Sequence, residues 1–136
     1  MDRFSWLDAY LLSLPGATRD YKEEWQWMRY QVGGRLFAAL LHPGQQYDAM
    51  YAGRDLLTLK CAPMEAEFLR EQYPEILPGF YTDKRCWNSV DLGGELPEAL
   101  IRQMCTQSYH LVFEKLPKKR REEILQSAGD LRRSAE

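Results

Sequence analysis

The Gly33-Gly34 pair constrains the fold of this chain more than any other feature, because it sits between two runs, WQWMRYQV (25–32) and RLFAALL (35–41), that both read as β-structure. Adjacent glycines can take the positive φ values that a two-residue hairpin turn demands. The spacing therefore predicts an antiparallel hairpin between Trp25 and Leu41. A lone hairpin is barely stable in water, so the remaining sequence has to supply more strands and a covering layer.

It supplies both. Phe4, Leu7, Leu11 and Leu14 recur at helical spacing until Pro15-Gly16 breaks the pattern. His42 to Arg54 has no sustained period and reads as a loop, and DLLTLK (55–60) reads as a third strand. Pro63 suits the first turn of a helix over about residues 63–72, with Phe68 and Leu69 on its buried side and Tyr73-Pro74 as its stop. Trp87 to Leu92 alternates like a half-buried strand and ends at Gly93-Gly94. Pro97 opens what reads as the longest helix, with a stripe of Leu100, Ile101, Met104, Cys105, Leu111 and Val112. After Pro117, KKRREEILQS continues as a second, solvated helical segment, and the tail from Ala128 is expected to fray. The expected architecture is α+β: one domain over residues 1–126 with a frayed tail at 127–136, in two layers, an antiparallel sheet with helices packed on one face.

Composition narrows the function. A 45% hydrophobic content is enough for a core in a chain of 136 residues. No apolar run approaches the roughly 20 residues that cross a bilayer. The start, MDRFSWLDAY, carries acidic residues where a secretory leader would be basic. A cytoplasmic location without a membrane partner is therefore expected. Cys61, Cys86 and Cys105 are odd in number and form no C-x-x-C pair, so reduced thiols are expected, with neither a disulfide framework nor a zinc site. A formal net charge of −2 excludes a surface built throughout for nucleic acid, and any such site has to be a local patch.

Two patches qualify. In PGFYTDKRCWNSVDLGGELP (78–97), Lys84, Arg85, Trp87 and Asn88 stand together between a turn and a strand, with Tyr81 before them and Lys60 at the end of the preceding strand. Cationic heads hold phosphates and aromatic rings stack on bases, which is the chemistry of single-strand or minor-groove contact. The plainer reading is a core tryptophan beside solvated charge, and residues 60–91 hold six acidic residues against four basic ones. The second patch is Lys115, Lys118, Lys119, Arg120 and Arg121. It offers sequence-tolerant phosphate contacts, or else a soluble helix balanced by Glu122 and Glu123. Both patches depend on folding bringing the cations to a face free of carboxylates.

Taken with Lys60-Cys61, Pro15-Gly16-Ala17 and SYHLVFEKLPKK (108–119), the 78–97 segment resembles the MmcQ/YjbR family of small bacterial proteins. Many members carry H-x-N-K-x-H-W-x-T-V, and the matching positions here run from Tyr81 to Val90. Lys84, Trp87 and Val90 agree with the pattern. Tyr81 and Cys86 replace its two histidines and Asp83 its asparagine, so this segment lacks the histidines on which a His-dependent metal or acid–base role would draw. Ser108-Tyr109 and LTLKCAPMEAEFLREQYP (57–74) match further family segments, so the resemblance covers about residues 3–126. It implies the frataxin-like topology called the double wing, and DNA as the partner.

The inventory for catalysis is thin, with only His42 and His110 as candidate bases. Neither glycine pair has the surroundings of a phosphate-cradling loop, so no cofactor is implied. The expectation is a non-enzymatic domain with no catalytic residues that binds DNA weakly and in a salt-sensitive way. The alternative is a small-molecule or protein-partner module built on an aromatic groove near Trp25, Trp27, Tyr81 and Trp87. A third, weaker reading is an enzyme using Cys86 or His110.

Overall fold

The computed structural model describes the backbone of residues 3–135 and the side chains of residues 5–130. Helix α1 (Arg3–Ser13) leads into strands β1 (Ala17–Lys22), β2 (Trp27–Val32), β3 (Arg35–Leu41) and β4 (Leu56–Lys60). Helix α2 (Pro63–Gln72), strands β5 (Ile76–Pro78) and β6 (Trp87–Asp91), and helices α3 (Glu98–Phe113) and α4 (Lys118–Ala135) complete the order. The six strands form one sheet, β1-β2-β3-β4-β6-β5, antiparallel throughout. This is the expected α+β architecture.

The hairpin lies where the two glycines put it. Val32 pairs with Arg35, and Gly33 and Gly34 take φ of 58° and 80°, the pair of positive values that matches the twist of the flanking strands. A bulge near Tyr30 and Gln31 leaves Phe37 out of the β2–β3 register.

Helices α1, α2 and α3 cover one face of the sheet, where Leu7, Leu11, Phe37, Leu57, Leu59, Ile101 and Cys105 form the main core. Burying each of the large side chains stabilises the fold by about 1.5–3 kcal/mol. Phe4 of the predicted stripe lies outside the described side chains. Fully buried Tyr30 donates to Asp8 at 2.5 Å, and Arg19 closes the group with two bonds to the same carboxylate. Burial raises the Asp8 pKa, but the Tyr30 and Arg19 hydrogen bonds outweigh it and leave the carboxyl below its usual value.

The other face carries a second, smaller core that the sequence reading left out. Trp27, Ala39, Leu41, Tyr51, Leu56 and Phe80 pack there, closed over by the loop between β3 and β4. This layer corrects the reading of residues 87–92 as a half-buried strand. Asn88, Ser89 and Val90 are all buried, because β6 is an inner strand covered on both sides.

Other differences are local. Strands β1 and β5 were not anticipated. On α2 the buried residues are Ala66 and Leu69, whereas Phe68 points outward, 56% exposed. Helix α4, at 18 residues, exceeds α3 at 16, and its backbone stays helical to Ala135, through the stretch expected to fray. Ile124 is buried against Gly16. No helix among the described residues is long and apolar enough to cross a membrane.

Candidate anion-binding corner

Segments far apart in sequence meet at the C-terminal end of β4. Ser108, fully buried on α3, accepts from the Lys60 amide at 2.8 Å and donates to the Phe37 carbonyl at 2.6 Å. The next residue, Tyr109, donates to the Pro15 carbonyl at 2.5 Å. The scattered segments 15–17, 60–61 and 108–109 are therefore one connected assembly. Its hydroxyls satisfy backbone groups that no strand partner reaches, which is what buried polar atoms require.

This assembly fixes Lys60, whose side chain is partly buried. Burial, then the charge of Lys115, and more weakly that of Arg35, hold the Lys60 ammonium pKa below the usual lysine value. Arg35 is the residue just after the glycine turn, and Lys115 lies in the bend beyond α3. Leu116 joins the two, with its methyl groups where a Cβ on Gly33 would stand, 2.7 and 2.8 Å away. Ser108 and Leu116 thus bring the segments that carry Lys60, Arg35 and Lys115 to one corner. Among the described residues none of the three has a carboxylate within 4 Å.

The other predicted contacts divide sharply. Trp87 pairs with Lys60 across the β4–β6 ladder, so both side chains leave the same face, and Trp87 is half-buried there. Asn88 is a correction: it is fully buried, accepts from Arg70 at 2.8 Å and donates to the Ala66 carbonyl at 3.3 Å, so it tethers α2 to β6 and offers nothing to a ligand. Lys84 donates to the Gly79 carbonyl at 2.9 Å, and Arg85 forms a two-pronged pair with Asp83. That pair pulls the Asp83 carboxyl below its usual pKa through the Arg85 hydrogen bond.

The dense run on α4 is interleaved with acid. Lys118 faces Glu122 at 4.0 Å, Arg120 faces Glu123 at 3.8 Å and Arg121 faces Glu114 at 3.6 Å. Lys119 is exposed and has no such partner among the described residues. The sequence reading missed Arg35, whose only signal was its place after Gly33-Gly34.

Aromatic residues gather elsewhere. Tyr47, Tyr51, Phe80 and Tyr81 form a chain of edge-on ring contacts at 4.6–5.7 Å, and Trp25 meets Trp27 edge-on at 5.5 Å. Trp27 shares the second core with Tyr51 and Phe80, while Trp87 stands apart beside Lys60. Cys61 and Cys105 are buried, and desolvation pushes their thiols up to about 11 and about 12. Cys86 is half-exposed, and no hydrogen bond joins it to His110.

Known proteins resemble this one along most of its length. The family model described as YjbR matches residues 12–111. The uncharacterized protein YjbR of Escherichia coli strain K12 is 28% identical over 117 residues, covering 86% of this chain and 92% of that protein. The uncharacterized protein YbdF of Escherichia coli O157:H7 is 30% identical over 90 residues, 66% of this chain and 67% of that protein. Among solved structures, a Deinococcus radiodurans protein with the DUF419 domain has a TM-score of 0.75 at 27% identity, covering 91% of this chain and 88% of that one. A Pseudomonas syringae protein at 21% identity and a TM-score of 0.69, covering 82% of this chain and 99% of its own, shares the fold.

Proposed function

We propose, given that this chain belongs to the YjbR family, that it is a non-enzymatic binding domain which holds the phosphates of DNA at the Arg35, Lys60 and Lys115 corner, with Trp87 beside it. The observation that carries this reading is the convergence of three cations that no described carboxylate neutralises. Unpaired cations on a surface are what a phosphate can use, because pairs already formed would have to be broken first. Binding without turnover fits the thiols, since two of the three are buried and held protonated.

Three phosphate contacts give a slope of log affinity against log salt of about −2.7, which is roughly a 40-fold loss between 50 and 200 mM. Fluorescence anisotropy with a labelled DNA oligonucleotide across that range tests the reading. Lys60→Gln, Lys115→Gln and Arg35→Gln should each lower the slope by about 0.9. Lys84→Gln and Arg85→Gln should change it far less. No binding at 50 mM salt, or an unchanged slope in the first three variants, would discard the proposal.

A second reading, a small-molecule or protein-partner module, draws on Tyr81. This ring is 69% exposed although its backbone is held at φ 51°, a conformation that bulky residues seldom adopt and that tends to mark functional positions. Tryptophan fluorescence that responds to a metabolite mixture and not to DNA would favour it.

A further inference from the structure

The corner is a point and not a track. Of the other cations in the two predicted patches, all but the exposed Lys119 have partners among the described residues: Arg85 has Asp83 at 3.0 Å, Lys84 the Gly79 carbonyl, Lys118 Glu122 at 4.0 Å, Arg120 Glu123 at 3.8 Å and Arg121 Glu114 at 3.6 Å. A protein that tracks along duplex DNA needs unpaired cations spread over several phosphates, each phosphodiester carrying a single negative charge. Here the segments that carry Lys60, Arg35 and Lys115 are brought to one corner, close enough for the charges of Lys115 and Arg35 to act on Lys60. Ser108 pins the Lys60 backbone, and Leu116 locks the Lys115 bend against the turn that carries Arg35.

From this geometry we infer that the corner recognises a phosphate monoester, the dianionic group found at a phosphorylated strand end or on a nucleotide, in preference to the internal diesters of a nucleic acid. The inference rests on the phosphate-binding reading above and narrows its ligand. A monoester carries about 1.5 to 2 negative charges at pH 7 and three terminal oxygens, so it can accept from all three cations at once, whereas a diester has one charge and two such oxygens. The depressed Lys60 ammonium agrees with an unneutralised cluster, which a dianion relieves more fully than a monoanion. Trp87, opposite Lys60 on the same face, lies where the base next to that phosphate would rest.

The test compares short single-stranded DNA oligonucleotides bearing a 5′-phosphate, a 3′-phosphate or hydroxyls at both ends, by anisotropy at low salt with an internal label. One phosphorylated form should bind at least about tenfold tighter than the hydroxyl form, the increment of one or two charge-assisted hydrogen bonds. Lys60→Gln and Lys115→Gln should each erase most of that difference while thermal melting shows the variants folded. A nucleoside monophosphate added as competitor separates the two sources. Displacement at concentrations similar to those of the phosphorylated strand points to a free nucleotide, and much weaker displacement to a strand end; both support the inference. Equal affinity for phosphorylated and hydroxyl ends would overturn it and leave the DNA reading standing. No binding of any oligonucleotide or nucleotide would remove both.

Discussion

Replacing Ser108 by alanine removes one oxygen from a buried position and strands two backbone groups. The Phe37 carbonyl loses its donor at 2.6 Å, and the Lys60 amide loses its acceptor at 2.8 Å. Neither has a substitute in the ladder, because Phe37 falls at the bulge in β3 and Lys60 lies beyond the last β3–β4 pair, Ala38 with Leu59. A buried polar group left unpaired costs about 1–3 kcal/mol, so the two together should cost about 2–6 kcal/mol. With a urea m-value of about 1.5–2 kcal/mol/M for a domain of this size, the unfolding midpoint should drop by at least about 1 M. Equilibrium urea unfolding followed by circular dichroism measures this directly. Ser108→Cys, which keeps a weak donor and acceptor of similar size, should lose less. A loss below about 0.5 kcal/mol in the alanine variant would mean that these backbone groups find other partners, and the account of how Lys60 is held would fall with it.

Two further outcomes follow from the described contacts. Gly33→Ala should destabilise by about 2–4 kcal/mol, because it adds the strain of a positive φ to a Cβ placed 2.7 Å from Leu116, whereas Gly34→Ala, with open space around it, should cost only about 1 kcal/mol; equal losses in thermal melts would refute the proposed Leu116 seat. A thiol reagent at pH 8 should label Cys86 quickly and reach Cys61 and Cys105 only on unfolding. Since those two thiols titrate near 11 and 12 when folded but near 9.0 when not, stability should be intact below pH 9 and decline as pH rises through the folded values, and rapid labelling of all three in native protein would contradict this.

Most of the architecture was legible in the sequence because local signals and burial agreed. Gly33-Gly34, Pro63 and Pro97 mark boundaries that any chain must respect, and the elements beside them formed where expected. Strand β1 escaped notice because an edge strand is solvated on both faces, and ATRDYK accordingly shows no alternation. Strand β5 has only three residues, one of them proline. Phe68 was misplaced because apolar character alone does not tell which side of a short helix meets the sheet.

The candidate site was less legible, since it depends on contacts across long sequence separations. Lys118 to Arg121 look like the strongest positive stretch in linear order, yet helical spacing brings Glu122 and Glu123 back beside two of them. Arg35 looks unremarkable as a lone cation after a turn, and only the fold sets it near Lys60 and Lys115. Asn88 had the right chemistry for a ligand, but β6 lies inside the sheet and turns its amide toward α2.

The bond from Tyr109 to Pro15 spans 94 positions, and the contact between Tyr10 and Thr106 spans 96. Helix α1 and the turn after it are thus secured by residues made 94 to 96 positions later. A nascent chain halted at residue 100 would hold the strands without the helix that seals them, its apolar face still open to water. Productive folding on the ribosome should therefore wait until α3 has cleared the exit tunnel, and the interval before that is the one in which these strands most need protection from aggregation.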